Sequence, residues 1–275
     1  MEILIDTHVH VYPFHHADRL LQSAGQRLRG WARTTDPVCV LMLTEAGPHH
    51  FFDQLAAAPS LACTIRPTPE PAALCLSWND QPDLWLIAGR QLVTAERLEI
   101  LGLAMTHTPP DGQTASATIE AVHQAGGIPV LPWSPGKWMF RRARVVQTLC
   151  DRFDSDALWL GDSSLRPQGW PSPRPMRDPT RRVLAGSDPL PFAGEEALAG
   201  TYATRIEGHF DPARPVTSLQ HLLRSDPAHI TQVGQRNRPW TWARRLKTLK
   251  AVRATMATSA PAPSDHVQAD GRRPA

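Results

Sequence analysis

The chain has 275 residues, 41% of them hydrophobic and 20% charged, with a formal net charge of +3 at pH 7. That is enough apolar sequence for one large α/β barrel or two small domains, and no apolar run reaches the roughly 18 residues of a membrane-spanning helix. The four cysteines lack Cys-x-x-Cys spacing, which argues against a zinc ribbon or a disulfide framework.

Met1-Glu2 leads straight into an apolar run with no basic start, so a secretory leader is not expected and the cytoplasm is the default location. That run, Ile3-Leu4-Ile5-Asp6-Thr7-His8-Val9-His10, reads as a first strand. Side chains alternate along a strand, so Asp6, His8 and His10 are expected on one face. Two imidazoles fixed there are half of a site for zinc or a related ion. The plainer reading is a pair of surface histidines at a strand end.

A helix follows over 18–31, with Leu20, Leu21, Ala24 and Leu28 on one stripe, then a buried strand from Val38 to Leu43 that ends at Thr44-Glu45. A short helix is expected over 51–58, and strands over 74–78, 84–88 and 98–105. Thr114 or Ser116 caps a helix that Gly126-Gly127 terminates. Strand 128–133 leads into the loop Ser134-Pro135-Gly136-Lys137, helix 145–153 follows, and strand 158–160 runs into Gly161-Asp162-Ser163-Ser164. Val183 to Ala185 reads as the last strand, ending at Gly186-Ser187-Asp188, with a helix over 194–202 behind it. This alternation predicts a parallel sheet with helical crossovers, as a barrel over residues 1–235.

The charge is uneven. Between Asp226 and Asp265 there is no acidic residue, but there are seven basic ones: Arg236, Arg238, Arg244, Arg245, Lys247, Lys250 and Arg253. Taking seven from +3 leaves −4 on the remainder, so the acidic part reads as the working body and the basic part as an appendage. Residues 236–256 are expected as a basic amphipathic helix on or beside the barrel, with Trp242, Leu246, Leu249 and Met256 on its apolar side. The favoured reading of its charges is a solvated face, and the alternative is contact with nucleic acid, an acidic partner or an anionic membrane surface. Residues 257–275, rich in Pro, Ala and Ser, are expected to be a disordered tail.

Reactive groups of a barrel gather at the C-terminal ends of its strands. Those ends offer His8, His10, Glu45, Gln91, Glu99, Ser134, Lys137, Asp162 and Asp188. Two histidines with several carboxylates suit a hydrolytic metal ion that activates water and holds phosphate oxygens. Arg90, Lys137 and Arg166 are candidates for holding an anionic group, and Trp133 for shaping the pocket around it. Each has a structural alternative: Glu45 as a helix cap, Asp162 as a turn residue, Lys137 as a solvated loop cation, His15 and His16 as loop surface.

The segments 5–10, 86–94, 98–103, 118–135 and 185–188, in this order, resemble the polymerase-and-histidinol-phosphatase (PHP) family of metal-dependent phosphoesterases. The resemblance spans roughly residues 1–200. It implies a distorted TIM-like (β/α)7 barrel with a metal cluster at its C-terminal mouth, and it carries over His8, His10 and Asp188 as ligands. The chain departs from the family pattern at Gln91 in place of Glu, at Glu99 and Ser134 in place of His, and at Leu190. One zinc, manganese or iron ion held by His8, His10, Asp188 and either Glu45 or Glu99 is therefore expected rather than a cluster of three.

The leading expectation is a phosphoesterase that acts on a small anionic substrate, with Asp188, Lys137 and Glu99 as catalytic candidates. The alternatives are a PHP-like barrel that has lost catalysis and binds a ligand or acts as a scaffold, and an amidohydrolase-like enzyme that cleaves C–N or C–O bonds at one ion.

Overall fold

A computed structural model describes residues 1–58, 60–79, 81–224 and 227–259. Its elements in chain order are β1 (Glu2–Val9), α1 (Ala17–Trp31), β2 (Val38–Leu43), β3 (Glu45–Ala46), α2 (Phe51–Ala57), β4 (Thr64–Pro67), β5 (Ala73–Trp78), β6 (Gln81–Ile87), β7 (Gly89–Val93) and β8 (Glu99–Leu103). Then come α3 (Ala115–Gln124), β9 (Ile128–Pro132), α4 (Phe140–Arg152), β10 (Trp159–Ser163), β11 (Val183–Gly186), β12 (Tyr202–Glu207), α5 (Pro215–Leu223), β13 (Thr231–Gly234) and α6 (Pro239–Ser259).

The strands form two sheets, in the orders β13-β12-β1-β2-β6-β5-β4 and β11-β10-β9-β8-β7-β3. They abut along two seams. On one side β2 passes into β3 through Thr44 and β6 into β7 through Ala88, so each strand pair crosses from one sheet to the other. On the other side β11 lies against β1 without a ladder, and the Asp188 N–H donates to the His8 carbonyl at 2.8 Å. Gly186 permits this approach, because a Cβ there would stand 2.3 Å from the His8 Cβ.

The expected (β/α)7 barrel is therefore corrected to a mixed α/β architecture of two sheets that do not close. The parallel sets are β1-β2-β6 and β9-β10-β11, while β1-β12, β5-β6, β7-β8 and β8-β9 run antiparallel. For the two consecutive hairpins the physical reason is connection length. A parallel crossover needs a dozen or more residues, and the links from β5 to β6 and from β7 to β8 are hairpin-sized. The segment expected as a helix over 194–202 is only a 3-10 turn, Glu195–Leu198. Gly200 there adopts φ 77°, and Tyr202 opens β12, so β11 is not the last strand.

Two apolar clusters fill the fold. One packs α1, through Leu20, Leu21, Ala24 and Leu28, on the first sheet. The other packs α3 and α4 on the second sheet and includes Leu249 of α6. Thr114 caps α3 by accepting from the Ala117 N–H at 3.3 Å, and Gly126 follows at φ 75°. Cys39, Cys63, Cys75 and Cys150 are free thiols. No helix among the described residues is long and apolar enough to cross a membrane. The tail expected to be disordered lies, from residue 260 on, outside the described residues.

Candidate metal centre

The parallel strands β1, β10 and β11 all end at one edge, and their C-terminal ends bring the polar groups together. The pairing of β1 with β2 slips between Asp6 and Val9, which inserts one additional residue into β1. A bulge of this kind breaks the alternation of faces. Asp6 accordingly does not join the histidines. It accepts from the Ser187 N–H at 2.9 Å, the Ser187 hydroxyl at 2.5 Å and the Gly200 N–H at 2.8 Å. Burial pushes its carboxyl up to about 6 against those hydrogen bonds, so Asp6 fastens the site from beneath.

His8, His10 and Asp188 converge. The two Nε2 atoms are 3.1 Å apart, and Asp188 Oδ1 lies 3.6 Å from His8 Nε2 and 3.7 Å from His10 Nε2. Ligand atoms bonded to one tetrahedral ion at about 2.0–2.1 Å stand roughly 3.3–3.4 Å from one another. The three observed separations bracket that value, so the donors fit one face of a single tetrahedral site. All three residues are buried. Burial and the adjacent His8 push the His10 imidazole down to about 3, so it is a neutral ligand across the working range.

Asp188 is held from every side. Its backbone is left-handed, at φ 52°, an unusual state for a residue with a Cβ. Its carbonyl accepts from Arg245 Nη2 at 2.9 Å, and its Oδ2 accepts from the Ser163 hydroxyl at 2.9 Å. Burial alone would raise the Asp188 carboxyl. His8, His10, Arg245 and the Ser163 hydroxyl outweigh it and hold the group below the usual carboxylate range.

His10 and Asp188 open onto a cleft of about 370 Å³, also lined by Tyr12, Gln91, Glu99, Ser134, Lys137, Leu190 and the α6 residues Leu246, Leu249, Lys250 and Arg253. All four positions that depart from the PHP pattern line this cleft. A larger cavity of about 680 Å³ lies at the opposite strand ends, between Val38, Arg66, Gln81 and Phe210, and among the described residues no group of metal-ligating side chains lines it.

Lys137 and Glu99 form an ion pair on the cleft wall. The other expected site residues are engaged elsewhere. Glu45 is outside the three-residue ligand group and accepts from the Phe52 N–H of α2 at 3.1 Å, the helix-cap reading. Arg90 donates to the carbonyls of His49 and Gly47, fixing that loop. Arg166 makes a two-pronged pair with Asp162 at 2.7 and 2.6 Å, which Tyr202 joins at 2.7 Å, so Asp162 is more than a turn residue. Trp133 is packed in the second apolar cluster. For Glu45, Arg90 and Arg166 a neighbouring backbone or counter-charge has taken up the side chain.

Burial pushes the Glu45 carboxyl up to about 7, opposed by the Phe52 and Phe51 N–H groups. A raised carboxyl binds its proton more tightly folded than unfolded, so it lowers stability as pH rises between about 4.5 and about 7. Glu45→Gln is expected to be the more stable chain at pH 8, by up to about 3 kcal/mol, and to match the wild type near pH 4.5. Urea unfolding at the two pH values checks this, and a pH-independent difference refutes it.

Sequence reasoning placed Arg245 among the solvated charges, whereas it is buried against the site. Its Nε and Nη2 bond Glu195 and its Nη1 donates to the Ser164 hydroxyl at 3.1 Å. The spacing held the signal, since Arg245 lies three residues after Trp242 and four before Leu249, within the apolar stripe. Tyr12 was also missed. It stacks on His10 with ring centroids 5.6 Å apart, and burial pushes its phenol up. His15 is buried beside it, not loop surface.

No family model matches the sequence, and no curated protein matches it significantly. Among solved structures the chain is similar to PsfC from Pseudomonas syringae PB-5123, with 15% identity, 93% of this chain and 99% of that chain covered, and a TM-score of 0.55. The fold is shared with PsfC. Weaker likeness extends to the lesion-specific endonuclease Q of Pyrococcus furiosus, at 12% identity over 78% of this chain and 55% of that one, with a TM-score of 0.49. It extends also to a two-domain Bacteroides vulgatus protein containing a predicted PHP-like metal-dependent phosphoesterase, at 11% identity over 86% and 65% of the two chains, with a TM-score of 0.43. This chain spans little more than half the length of endonuclease Q.

Proposed function

We propose that this protein is a metal-dependent hydrolase that cleaves a small phosphate ester at the His8–His10–Asp188 centre. The observation that carries the reading is the convergence of two imidazole nitrogens and one carboxylate oxygen within 3.1–3.7 Å of one another at the head of a cleft. Without a cation, two facing imidazole nitrogens would need one proton shared between them. A divalent ion bound there supplies an acidified water and an electrophile for phosphate oxygens.

The chain's own groups do the remaining work. His8 and His10 through Nε2 and Asp188 through Oδ1 would hold the ion, and Ser163 and Arg245 keep Asp188 aimed. The Lys137 ammonium, steadied by Glu99, offers a charge-assisted donor to a phosphate oxygen. Tyr12, kept protonated by burial, offers a neutral O–H in the same cleft. A mononuclear set suits Gln91 and Ser134, since neither is a strong ligand.

The position of Gln91, Ser134 and Leu190 on the cleft wall favours one other reading, a binding protein that has lost turnover. Full-length protein loaded with zinc or manganese, assayed on phosphomonoesters with amides and carboxylic esters alongside, separates them. Hydrolysis of a phosphomonoester that falls by at least about 10³ in His8→Ala is the expected result. Metal that is absent from the wild type, or that His8→Ala leaves unchanged, sinks the hydrolase reading. Metal without turnover on any panel member leaves the binding protein.

A further inference from the structure

The helix α6 is built into the site. The segment before it is tied to the loop after β10, with the Asn237 side chain donating to the Ser164 carbonyl at 2.8 Å and the Gln168 N–H donating to the Asn237 carbonyl at 2.8 Å. Arg245 then locks the helix to Glu195 and to the carbonyl of the metal ligand Asp188. Leu249 packs in the second apolar cluster. These anchors fix the register of the helical turn beyond Leu249. Lys250 and Arg253, three residues apart and so on one face of the helix, line the same cleft as His10 and Asp188. Both are exposed, and among the described residues neither forms an ion pair, whereas Lys137, which also lines the cleft, is paired with Glu99.

The charges in the cleft can be counted. A divalent ion less the Asp188 carboxylate leaves one positive charge, Lys137 and Glu99 cancel, and Lys250 with Arg253 adds two. A phosphate monoester dianion compensates only two of these three charges. A cleft of about 370 Å³ lies at the low end of small-molecule pockets, roughly 300–1,000 Å³. We infer that Lys250 and Arg253 form a second anion subsite, so the substrate is a small phosphate ester bearing a further carboxylate or phosphate at its far end. This rests on the metal-centre reading above for the phosphate end alone.

The test is isothermal titration calorimetry on the full zinc-loaded chain with two probes, glycerol 3-phosphate and 3-phosphoglycerate, which adds a carboxylate. The expected result is about tenfold tighter binding of 3-phosphoglycerate, reduced to within about twofold in Lys250→Ala/Arg253→Ala. The control is Arg244→Ala/Lys247→Ala, which removes the same charge from positions of α6 that are equally exposed but do not line the cleft. It is expected to keep the full preference, and far-ultraviolet circular dichroism confirms that both variants retain α6. No preference in the wild type, or equal loss in both double variants, overturns the subsite. A repeat on metal-free protein keeps the two readings apart. If the preference persists there while zinc fails to bind stoichiometrically, the metal centre falls and the subsite stands. If zinc binds but neither probe distinguishes the variants, the subsite falls alone.

Discussion

Zinc at a hundredfold excess over its dissociation constant is expected to stabilise the metal-free chain by about 2.7 kcal/mol. For a chain of this size that is a rise of roughly 5–10 °C in melting temperature. His10→Ala is expected to abolish the rise. The reasoning is linkage: the three donors stand at ligand separations only in the folded chain, where β1 and the segment after β11 meet, so binding draws the equilibrium to the native state. His10 adds no protonation barrier, because its imidazole is already neutral. Paired melting curves with and without zinc settle the matter. An equal rise in wild type and His10→Ala would place the ion elsewhere.

Arg245→Met is expected to cost about 3–5 kcal/mol of stability, because it leaves the buried Glu195 carboxylate without its counter-charge. Zinc affinity is expected to fall about 10–100-fold with it, since the Arg245 guanidinium also holds the Asp188 carbonyl in its left-handed turn. The double variant Glu195→Gln/Arg245→Met separates the two effects. It removes the orphaned charge and is expected to recover most of the stability but not the zinc affinity. Denaturant unfolding and competitive zinc titration measure them independently. A single variant within about 1 kcal/mol of wild type would mean that the pair is not a structural lock.

Much of the frame was legible along the chain. The stripe of α1, the Thr114 cap with Gly126 behind α3, and the strands around 38–43, 128–132 and 183–186 all follow from local periodicity and capping chemistry. Local patterns persist because each is satisfied by neighbours a few residues away. The closed barrel was not legible, because the direction of a strand depends on the length of its connection and on its partner. The helix expected over 194–202 is cut short for a related reason: Gly200 turns the chain at φ 77°, and Tyr202 opens β12, which pairs with β13 and β1.

The site divides along the same line. The sequence by itself singled out the three side chains that converge, since His-x-His at the end of an apolar strand and Gly-Ser-Asp at the end of another are local signals of a polar strand edge. Only the tertiary structure decided which other charges serve that centre. Asp6, Arg90 and Arg166 are drawn into backbone and counter-charge contacts, and Glu45 into capping a helix. Arg245, which composition assigned to an outlying appendage, is brought against Asp188, while Lys250 and Arg253 of the same helix line the cleft. A charged side chain goes where a low-dielectric pocket offers it a partner, and those partners, Glu195 and the Asp188 carbonyl for Arg245, lie 50 and 57 residues away in sequence.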